Sequence, residues 1–142
     1  CIRPSGYYNQ KADKLLRFAN FILANYESIE QILLGDTQKI RNELLSVKGI
    51  GPETADSILC YAGNHEIFVV DTYTKRLARC IGLPETKDYH GSQKLFMEEL
   101  DGDNQLYNEY HALIVKLGKD FCKKSKPLCD VCPISSYSLS NR

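Results

Sequence analysis

The sequence lacks several features that would assign it to a broad class at once. Its 18 basic and 18 acidic residues cancel, so the overall charge does not indicate a nucleic-acid partner, and any basic footprint must be local. No apolar run reaches the length of a membrane span, and we find no internal repeat, low-complexity tract or secretory-type segment. With 142 residues, 43% of them hydrophobic, the chain suits one soluble domain with a workable core and no membrane partner.

Strand patterns are almost absent from the first half, where helical spacing of apolar residues dominates. Ser28 and Gln31 resemble a capping box for a short helix that runs through Leu34, and Asp36 is predicted to cap a helix that ends at about Ser46. A long helix is predicted before them from one apolar stripe: Ala12, Leu15, Leu16, Ala19, Ile22 and Leu23.

The second half continues the helical pattern with one exception. Helices are predicted after Asp71 as far as Gly82, over residues 92–100, and from Leu106 to about Phe121. The apolar run at residues 67–70 is consistent with a buried strand, but four residues are too few to decide. The predicted fold class is all-α.

Cysteine is concentrated near the end of the chain. Three of the six cysteines, Cys122, Cys129 and Cys132, have the spacing C-x6-C-x2-C. Without a secretory context this spacing indicates a metal or cluster loop in a reducing compartment rather than disulfides, so we expect a cytoplasmic protein. The other three lie in apolar context and are predicted to be small core residues: Cys1, Cys60 and Cys80.

The stretch 47–53 predicts a tight junction between two helices. Gly49 and Gly51 permit backbone conformations closed to other residues, and Pro52 suits the first helical position. The N–H groups at that helix start, with the positive end of its dipole, form an anion site that suits a DNA phosphate whatever the base sequence. The alternative is an ordinary αα-hairpin whose glycines only permit the turn.

Two stretches carry a family resemblance. The segment LLSVKGIGPETADSIL, followed by VVDTYTKRL, resembles the helix-hairpin-helix and Gly/Pro…Asp signature of the endonuclease III superfamily of DNA glycosylases. The segments CIRPSGYYNQKADKL and ADSILCYA are similar to the branch of endonuclease III-related proteins that includes 3-methyladenine DNA glycosylase III. The resemblance implies a helix-hairpin-helix glycosylase fold. A six-helix-barrel lobe would cover residues 1–100, with the hairpin at about 36–62, and a C-terminal helix and cysteine-rich loop would cover 101–142.

The resemblance also implies partners for the hairpin. The chain would act as a monomer on double-stranded DNA that contains a damaged base, in base excision repair. Hairpin carbonyl groups would bind a monovalent cation beside the phosphate. The residues that would contact the DNA backbone are Val47, Lys48, Gly49, Ile50 and Gly51.

The catalytic carboxylate implied by the resemblance is Asp71, which would stabilise the oxocarbenium-like sugar or orient the attacking water. An aspartate at a helix start is also an ordinary N-cap, and the two roles are compatible. Glu53 stands where lyase-active relatives carry a lysine, and a carboxylate cannot form the imine that strand cleavage requires. His111, inside the last long helix, is predicted to be structural.

These assignments predict a monofunctional DNA glycosylase that leaves an abasic site. The favoured substrate is a purine alkylated at N3 or N7, because such a base carries positive charge and leaves with little acid catalysis. The base must be flipped out of the duplex. Two alternatives stay open: an endonuclease III-like glycosylase for oxidised pyrimidines, and a helix-hairpin-helix module that binds DNA without chemistry.

The segment FCKKSKPLCDVCPISSYS resembles the iron–sulfur loop of the family, C-x6-C-x2-C-x5-C. Cys122, Cys129 and Cys132 match the first three ligands, but Ser138 stands at the fourth position. A [4Fe–4S] cluster with a serine ligand, a cluster with an exogenous ligand and the absence of a cluster all stay open, and a zinc site has no obvious fourth ligand. The resemblance favours phosphate contact, rather than a solvated face, for the lysines of this loop: Lys123, Lys124 and Lys126.

The start of the sequence suggests that it is a piece of a longer protein. It begins at Cys1 rather than at a methionine, and nothing in it matches the upstream helices that complete the base pocket in the family. We therefore expect this piece to bury less core than the parent and to be poorly active by itself.

Overall fold

The structure is a computed structural model that describes residues 3–139, and the prediction for Cys1 lies outside the described residues. Within this range the chain forms seven α-helices and no β-strand, so the all-α prediction is confirmed. The helices are α1 Tyr8–Asn25, α2 Ile29–Ile32, α3 Thr37–Ser46, α4 Pro52–Ser57, α5 Thr72–Ile81, α6 Tyr89–Leu100 and α7 Asn104–Asp120. A π-helix, Ile58–Ala62, continues α4, and short 3-10 turns cover Arg3–Ser5, Cys129–Val131 and Ser135–Tyr137.

Aspartate side chains determine where most of these helices begin. Each of four N-cap aspartates accepts a hydrogen bond from a backbone N–H three residues later, which satisfies a group that the helix itself leaves unpaired. The prediction for Asp36 is thus confirmed, with 2.8 Å between its Oδ1 and the N of Lys39. The four caps are Asp36, Asp71, Asp88 and Asp103.

The capping box predicted for α2 is only half formed. Ser28 Oγ accepts from the backbone N–H of Gln31 at 3.4 Å, as expected. The Gln31 side chain, however, accepts from the backbone N–H of Glu27 rather than from that of Ser28, and α2 ends at Ile32 instead of Leu34.

The described chain divides into two compact units, Cys1–His65 and Glu66–Arg142. The lobes implied by the family resemblance, with a boundary at residue 100, are a different division of the chain and stay a prediction. No helix within residues 3–139 is long and apolar enough to cross a membrane.

The first unit contains α1 to α4 and the π-helix. Its buried apolar side chains include Ile40 and Leu44 from α3, Ala55 from α4 and Leu59 from the π-helix. The apolar stripe that predicted α1 is mostly exposed, with Leu15 55%, Leu16 61% and Leu23 81% exposed. The spacing therefore predicted the helix correctly, but of the stripe only Ile22 is buried.

The core of the second unit is built around Phe68. Its ring stacks on Phe96 at 4.8 Å and meets Tyr107 edge-on, an arrangement favoured for aromatic pairs. The buried residues of this cluster are Phe68, Val70, Leu77, Phe96, Tyr107 and Ile114.

The apolar run at residues 67–70 is buried but is not a strand. Side chains of α6 satisfy part of its backbone, as a buried extended segment requires. Gln93 Nε2 donates to the carbonyl of Phe68 at 2.7 Å, and the N–H of Val70 donates to the Tyr89 hydroxyl at 3.3 Å. This anchored segment leads directly into Asp71 at the start of α5.

Helix α5 packs closely against α7 within the second unit. At Gly118 a Cβ atom would lie 2.2 Å from Cδ1 of Tyr73, so only glycine admits this approach. Arg76 lies over the Tyr73 ring at 4.9 Å and donates to the carbonyl groups of Cys122 and Gly118 at 2.6 and 3.4 Å. The contact thus also fixes the chain where it leaves α7.

Candidate active site and nucleic-acid interface

The helix junction in the first unit has the predicted special backbone conformation at Gly49 but not at Gly51, whose φ of −101° is open to any residue. Gly49 has φ of +103°, a conformation that other residues rarely adopt, and Pro52 occupies the first turn of α4. The Val47 and Ile50 side chains are buried, and the N–H of Ile50 donates to the carbonyl of Val47 at 3.0 Å. The turn is therefore anchored by two apolar side chains, while Lys48 and Gly49 face solvent.

A buried ion pair joins the two helices of this junction. Arg41 of α3 donates to both carboxylate oxygens of Asp56 in α4, at 2.6 and 3.1 Å, and the two side chains are almost fully buried. A bidentate pair of this kind fixes geometry as well as charge. The sequence does not indicate this pair, because Arg41 follows an apolar position of α3 and nothing local points to a buried partner.

Asp71 lies at the N-cap of α5, as predicted, and its cap is reciprocal. Its Oδ1 accepts from the backbone N–H of Thr74 at 2.8 Å and from the Thr74 hydroxyl at 3.0 Å. Thr74 Oγ1 in turn accepts from the backbone N–H of Asp71 at 3.4 Å, which completes a capping box. The Asp71 side chain is 14% exposed, so it is neither sealed in the core nor open to bulk water.

The second carboxylate oxygen of Asp71 faces a residue that sequence analysis assigned to structure alone. Nε2 of His111, in α7, lies 3.6 Å from Asp71 Oδ2, and the ring meets Phe68 edge-on. Burial is the largest influence on the pKa of Asp71 and raises it. The His111 ring and the hydrogen bonds from Thr74 together outweigh burial and bring the pKa from 3.8 to about 2. Asp71 is therefore a carboxylate at neutral pH.

The predicted glutamate and the predicted loop lysines are exposed. Glu53 lies in the first turn of α4 and points to solvent. Lys123, Lys124 and Lys126 are exposed in the loop after α7. This loop is closed by a hydrogen bond of 3.0 Å from the N–H of Leu128 to the carbonyl of Phe121.

The three loop cysteines surround one small cavity in the second unit. Cys122, Cys129 and Cys132 line it together with Ser138, which is buried and 3% exposed. The lining therefore includes the three thiols that the loop spacing indicated and the serine at the fourth position of the family pattern. As the side chains stand, no group of three His, Cys, Asp or Glu residues within the described part of the chain is arranged to hold a metal ion.

Cys80 also lines this cavity, although it was predicted to be a core residue. Its Sγ lies 3.3 Å from the Ser138 hydroxyl. Burial raises the pKa of Cys122, and the thiols of Cys80 and Cys132 raise it further, while Arg76 lowers it. Cys60, by contrast, is fully buried, as predicted. Cys80 was missed because it lies far from the loop in sequence.

Comparisons with known proteins show the family and the fold of the chain. A family profile described as HhH-GPD superfamily base excision DNA repair protein matches residues 1–101. A Methanocaldococcus jannaschii protein, named as a candidate DNA repair glycosylase, is 48% identical over 98% of this chain and 64% of its own length. The crystal structure of Helicobacter pylori 3-methyladenine DNA glycosylase bound to 1,N6-ethenoadenine is 38% identical. It has a TM-score of 0.65 and covers 84% of this chain and 60% of that one.

The fold itself is that of endonuclease III. A trapped endonuclease III–DNA covalent intermediate superimposes with a TM-score of 0.76 over 99% of this chain and 62% of that one, at 23% identity. The chain spans about three fifths of the length of each of these three proteins. Because the family profile covers most of its residues and the fold agrees, the chain belongs to the HhH-GPD superfamily of base excision DNA repair proteins.

Proposed function

We propose that this protein is a monofunctional DNA glycosylase that hydrolyses the N-glycosidic bond of an alkylated purine in double-stranded DNA. The observation that carries the proposal is the state of Asp71, an ionised carboxylate fixed at the start of α5 by its own capping box. Family membership supports base excision as the class of reaction, and the fixed Asp71 carboxylate is a group suited to it.

Asp71 stabilises the positive charge that develops on the sugar as the base leaves. A fixed carboxylate does this well because it needs no reorganisation at the moment of reaction. Oδ1 is held by two hydrogen bonds from Thr74, so the carboxylate cannot turn without breaking both. Oδ2 then interacts with the sugar or with the attacking water, and the nearby His111 ring contributes to the lowered pKa of the carboxyl group.

The hairpin binds the DNA backbone through main-chain N–H groups. A helix start presents N–H groups that lack partners within the helix, and the dipole there favours an anion. The left-handed Gly49 and the buried anchors Val47 and Ile50 hold the turn in one shape, so less conformational freedom is lost on binding. Contact of this kind requires no net positive charge and reads no base.

An alkylated purine suits this site because the leaving group is already activated. A base with positive charge at N3 or N7 departs without strong acid catalysis, so a carboxylate and a shaped pocket suffice. The Helicobacter pylori relative, which is named for 3-methyladenine and was crystallised with 1,N6-ethenoadenine, supports a damaged purine. Release from oxidised pyrimidines with strand cleavage would instead favour an endonuclease III-like enzyme.

Replacing Asp71 tests the catalytic role directly. In the full-length protein, Asp71→Asn should lower the rate of base release from a duplex with one 3-methyladenine or 1,N6-ethenoadenine by at least about a hundredfold. Asparagine is an equally good N-cap, so the fold and DNA affinity should persist. Single-turnover base release and fluorescence anisotropy measure the two properties.

A matched control is Asp88→Asn, which changes the same residue type at the N-cap of α6. This variant should release the base at the wild-type rate. Undiminished release by Asp71→Asn would contradict the catalytic assignment. A wild-type protein that binds DNA but releases no base from any lesion would indicate a non-catalytic binding module.

Because Glu53 stands at the position of the lyase lysine, we predict that the protein does not cleave the DNA strand. With abasic duplex and borohydride the wild-type protein should form no covalent adduct, because a carboxylate at this position cannot make an imine. The variant Glu53→Lys places an amine there at an exposed site and should give a trapped adduct, detected by gel shift under denaturing conditions. Adduct formation by the wild-type protein would mean that another amine acts as a lyase nucleophile.

The lysines of the cysteine loop should contribute to the salt dependence of binding. Changing Lys123 and Lys124 to alanine should reduce the slope of log affinity against log salt by about 0.9 for each phosphate that the loop no longer neutralises. Affinity for a lesion duplex is measured over a range of salt concentrations. The double variant Lys87→Ala, Lys94→Ala removes the same charge from exposed positions elsewhere and should leave the slope unaltered. Equal slopes for all three proteins would exclude phosphate binding by this loop.

The lowered pKa of Asp71 should appear in stability against pH. Because the folded pKa, about 2, is below the ordinary value of 3.8, the stabilisation is complete above about pH 5 and is lost as pH falls toward 2. Asp71→Asn keeps the cap but has no such titration. Denaturant unfolding at several pH values should therefore show a wild-type advantage over Asp71→Asn that shrinks on acidification. An advantage that is constant over this range would contradict the pKa.

A further inference from the structure

The cavity of the cysteine loop contains a fourth thiol that the loop itself does not supply. Cys80, in the last turn of α5, lines the cavity with Cys122, Cys129 and Cys132. Four thiols around one cavity are the donor set that tetrahedral iron–sulfur and zinc centres take.

Cys80 lies beside the position where the family pattern requires its fourth cysteine. That position holds Ser138, whose hydroxyl is 3.3 Å from the Cys80 sulfur. Ser138 is buried, so its side chain faces the cavity region rather than solvent. The loop has no sulfur at its fourth position, but the Cys80 sulfur of helix α5 lies 3.3 Å from the Ser138 hydroxyl at that position.

Helix α5 is hydrogen-bonded to the cysteine loop on the helix face that also carries Cys80. Arg76 donates to the carbonyl of Cys122 at 2.6 Å, which joins α5 to the first loop cysteine. Residues four apart in a helix share a face, so Cys80 follows Arg76 on the side that meets the loop. Ordinary core packing would explain a buried thiol at this position, but it would not explain a thiol that shares a cavity with three others.

We propose that Cys80 replaces the fourth loop cysteine and, with Cys122, Cys129 and Cys132, forms the four-thiolate set of an iron–sulfur cluster. The thiols would turn toward the cavity they line, since no three of them are arranged around a metal as they stand. Ser138 would then be a neighbour that donates to a sulfur rather than a ligand, because its hydroxyl is a harder and weaker donor for iron than a thiolate. The inference deepens the proposed function, but it concerns cluster retention and is measured separately from base release.

Iron and acid-labile sulfide in anaerobically purified full-length protein test the assignment. The wild-type protein and Ser138→Ala should each retain about four irons per chain, with visible charge-transfer absorption. Cys80→Ser, which keeps the side-chain size, should retain three or fewer and bleach faster in air. Cys60→Ser removes a buried thiol from the other unit and should leave the iron content unchanged.

A rescue variant separates loss of the ligand from loss of the fold. Adding Ser138→Cys to Cys80→Ser restores the family spacing in the loop and should restore the iron content. Loss of iron in Ser138→Ala with retention in Cys80→Ser would overturn the proposal in favour of a serine ligand. Equal retention in both, zinc in place of iron, or no metal in the wild-type protein would overturn it too.

Alkylation of the wild-type protein tests the same point without a substitution. With the cluster bound, iodoacetamide should fail to label Cys80, Cys122, Cys129 and Cys132, and removal of iron by a chelator should expose all four together. Peptide mass spectrometry reads each site. Labelling of Cys80 at the same rate with and without the cluster would overturn its role as a ligand, whatever the base-release activity of the protein.

Discussion

The close approach of α5 to α7 is the constraint on which the second unit depends. Gly118 makes it possible, because any Cβ at that position would collide with the ring of Tyr73. At one end of the contact His111 faces Asp71, and at the other Arg76 holds the chain as it leaves α7. A single packing contact therefore places the His111 ring, which helps to lower the pKa of the proposed catalytic carboxylate, and the arginine that binds the start of the cysteine loop. Because close-packed interiors relax only partially, both properties depend on one glycine.

Local chemistry was predictable from the sequence, and long-range partners were not. The caps at Asp36 and Asp71 follow from the short-range rule that an aspartate side chain reaches a backbone N–H three residues on, and the structure confirms both. The partner of Asp71, His111, and the buried pair of Arg41 with Asp56 join residues that only the folded chain brings together. The exposed apolar stripe of α1 shows that a helix can be predicted correctly while the burial of its apolar face is not. Periodicity determines which side chains share a helix face, but burial depends on what packs against that face.

A chain without net charge can still bind an anion when its backbone supplies the donors. The junction between α3 and α4 is held by buried groups, an ion pair and two apolar anchors, and it presents few charged side chains of its own. Replacing either member of the pair alone would leave a buried charge without compensation, which costs about 3–5 kcal/mol. The pair therefore favours one conformation of the hairpin, and the phosphate binding proposed for its N–H donors would lose less entropy than binding by flexible lysines.

The thiols around the cavity show how a metal ligand could come from a different element of the same fold. In the loop pattern the fourth sulfur comes from the same segment as the other three. Here a thiol on α5 lies against the substituted serine, and Arg76 on the same helix is bonded to the first loop cysteine. A ligand on a packed helix is held by more neighbours than one on a terminal loop, and rigid elements position metal ligands better than loops do. With Cys80 as the proposed fourth ligand, the cavity keeps four thiols although Ser138 stands at the fourth loop position, as long as α5 stays packed on α7.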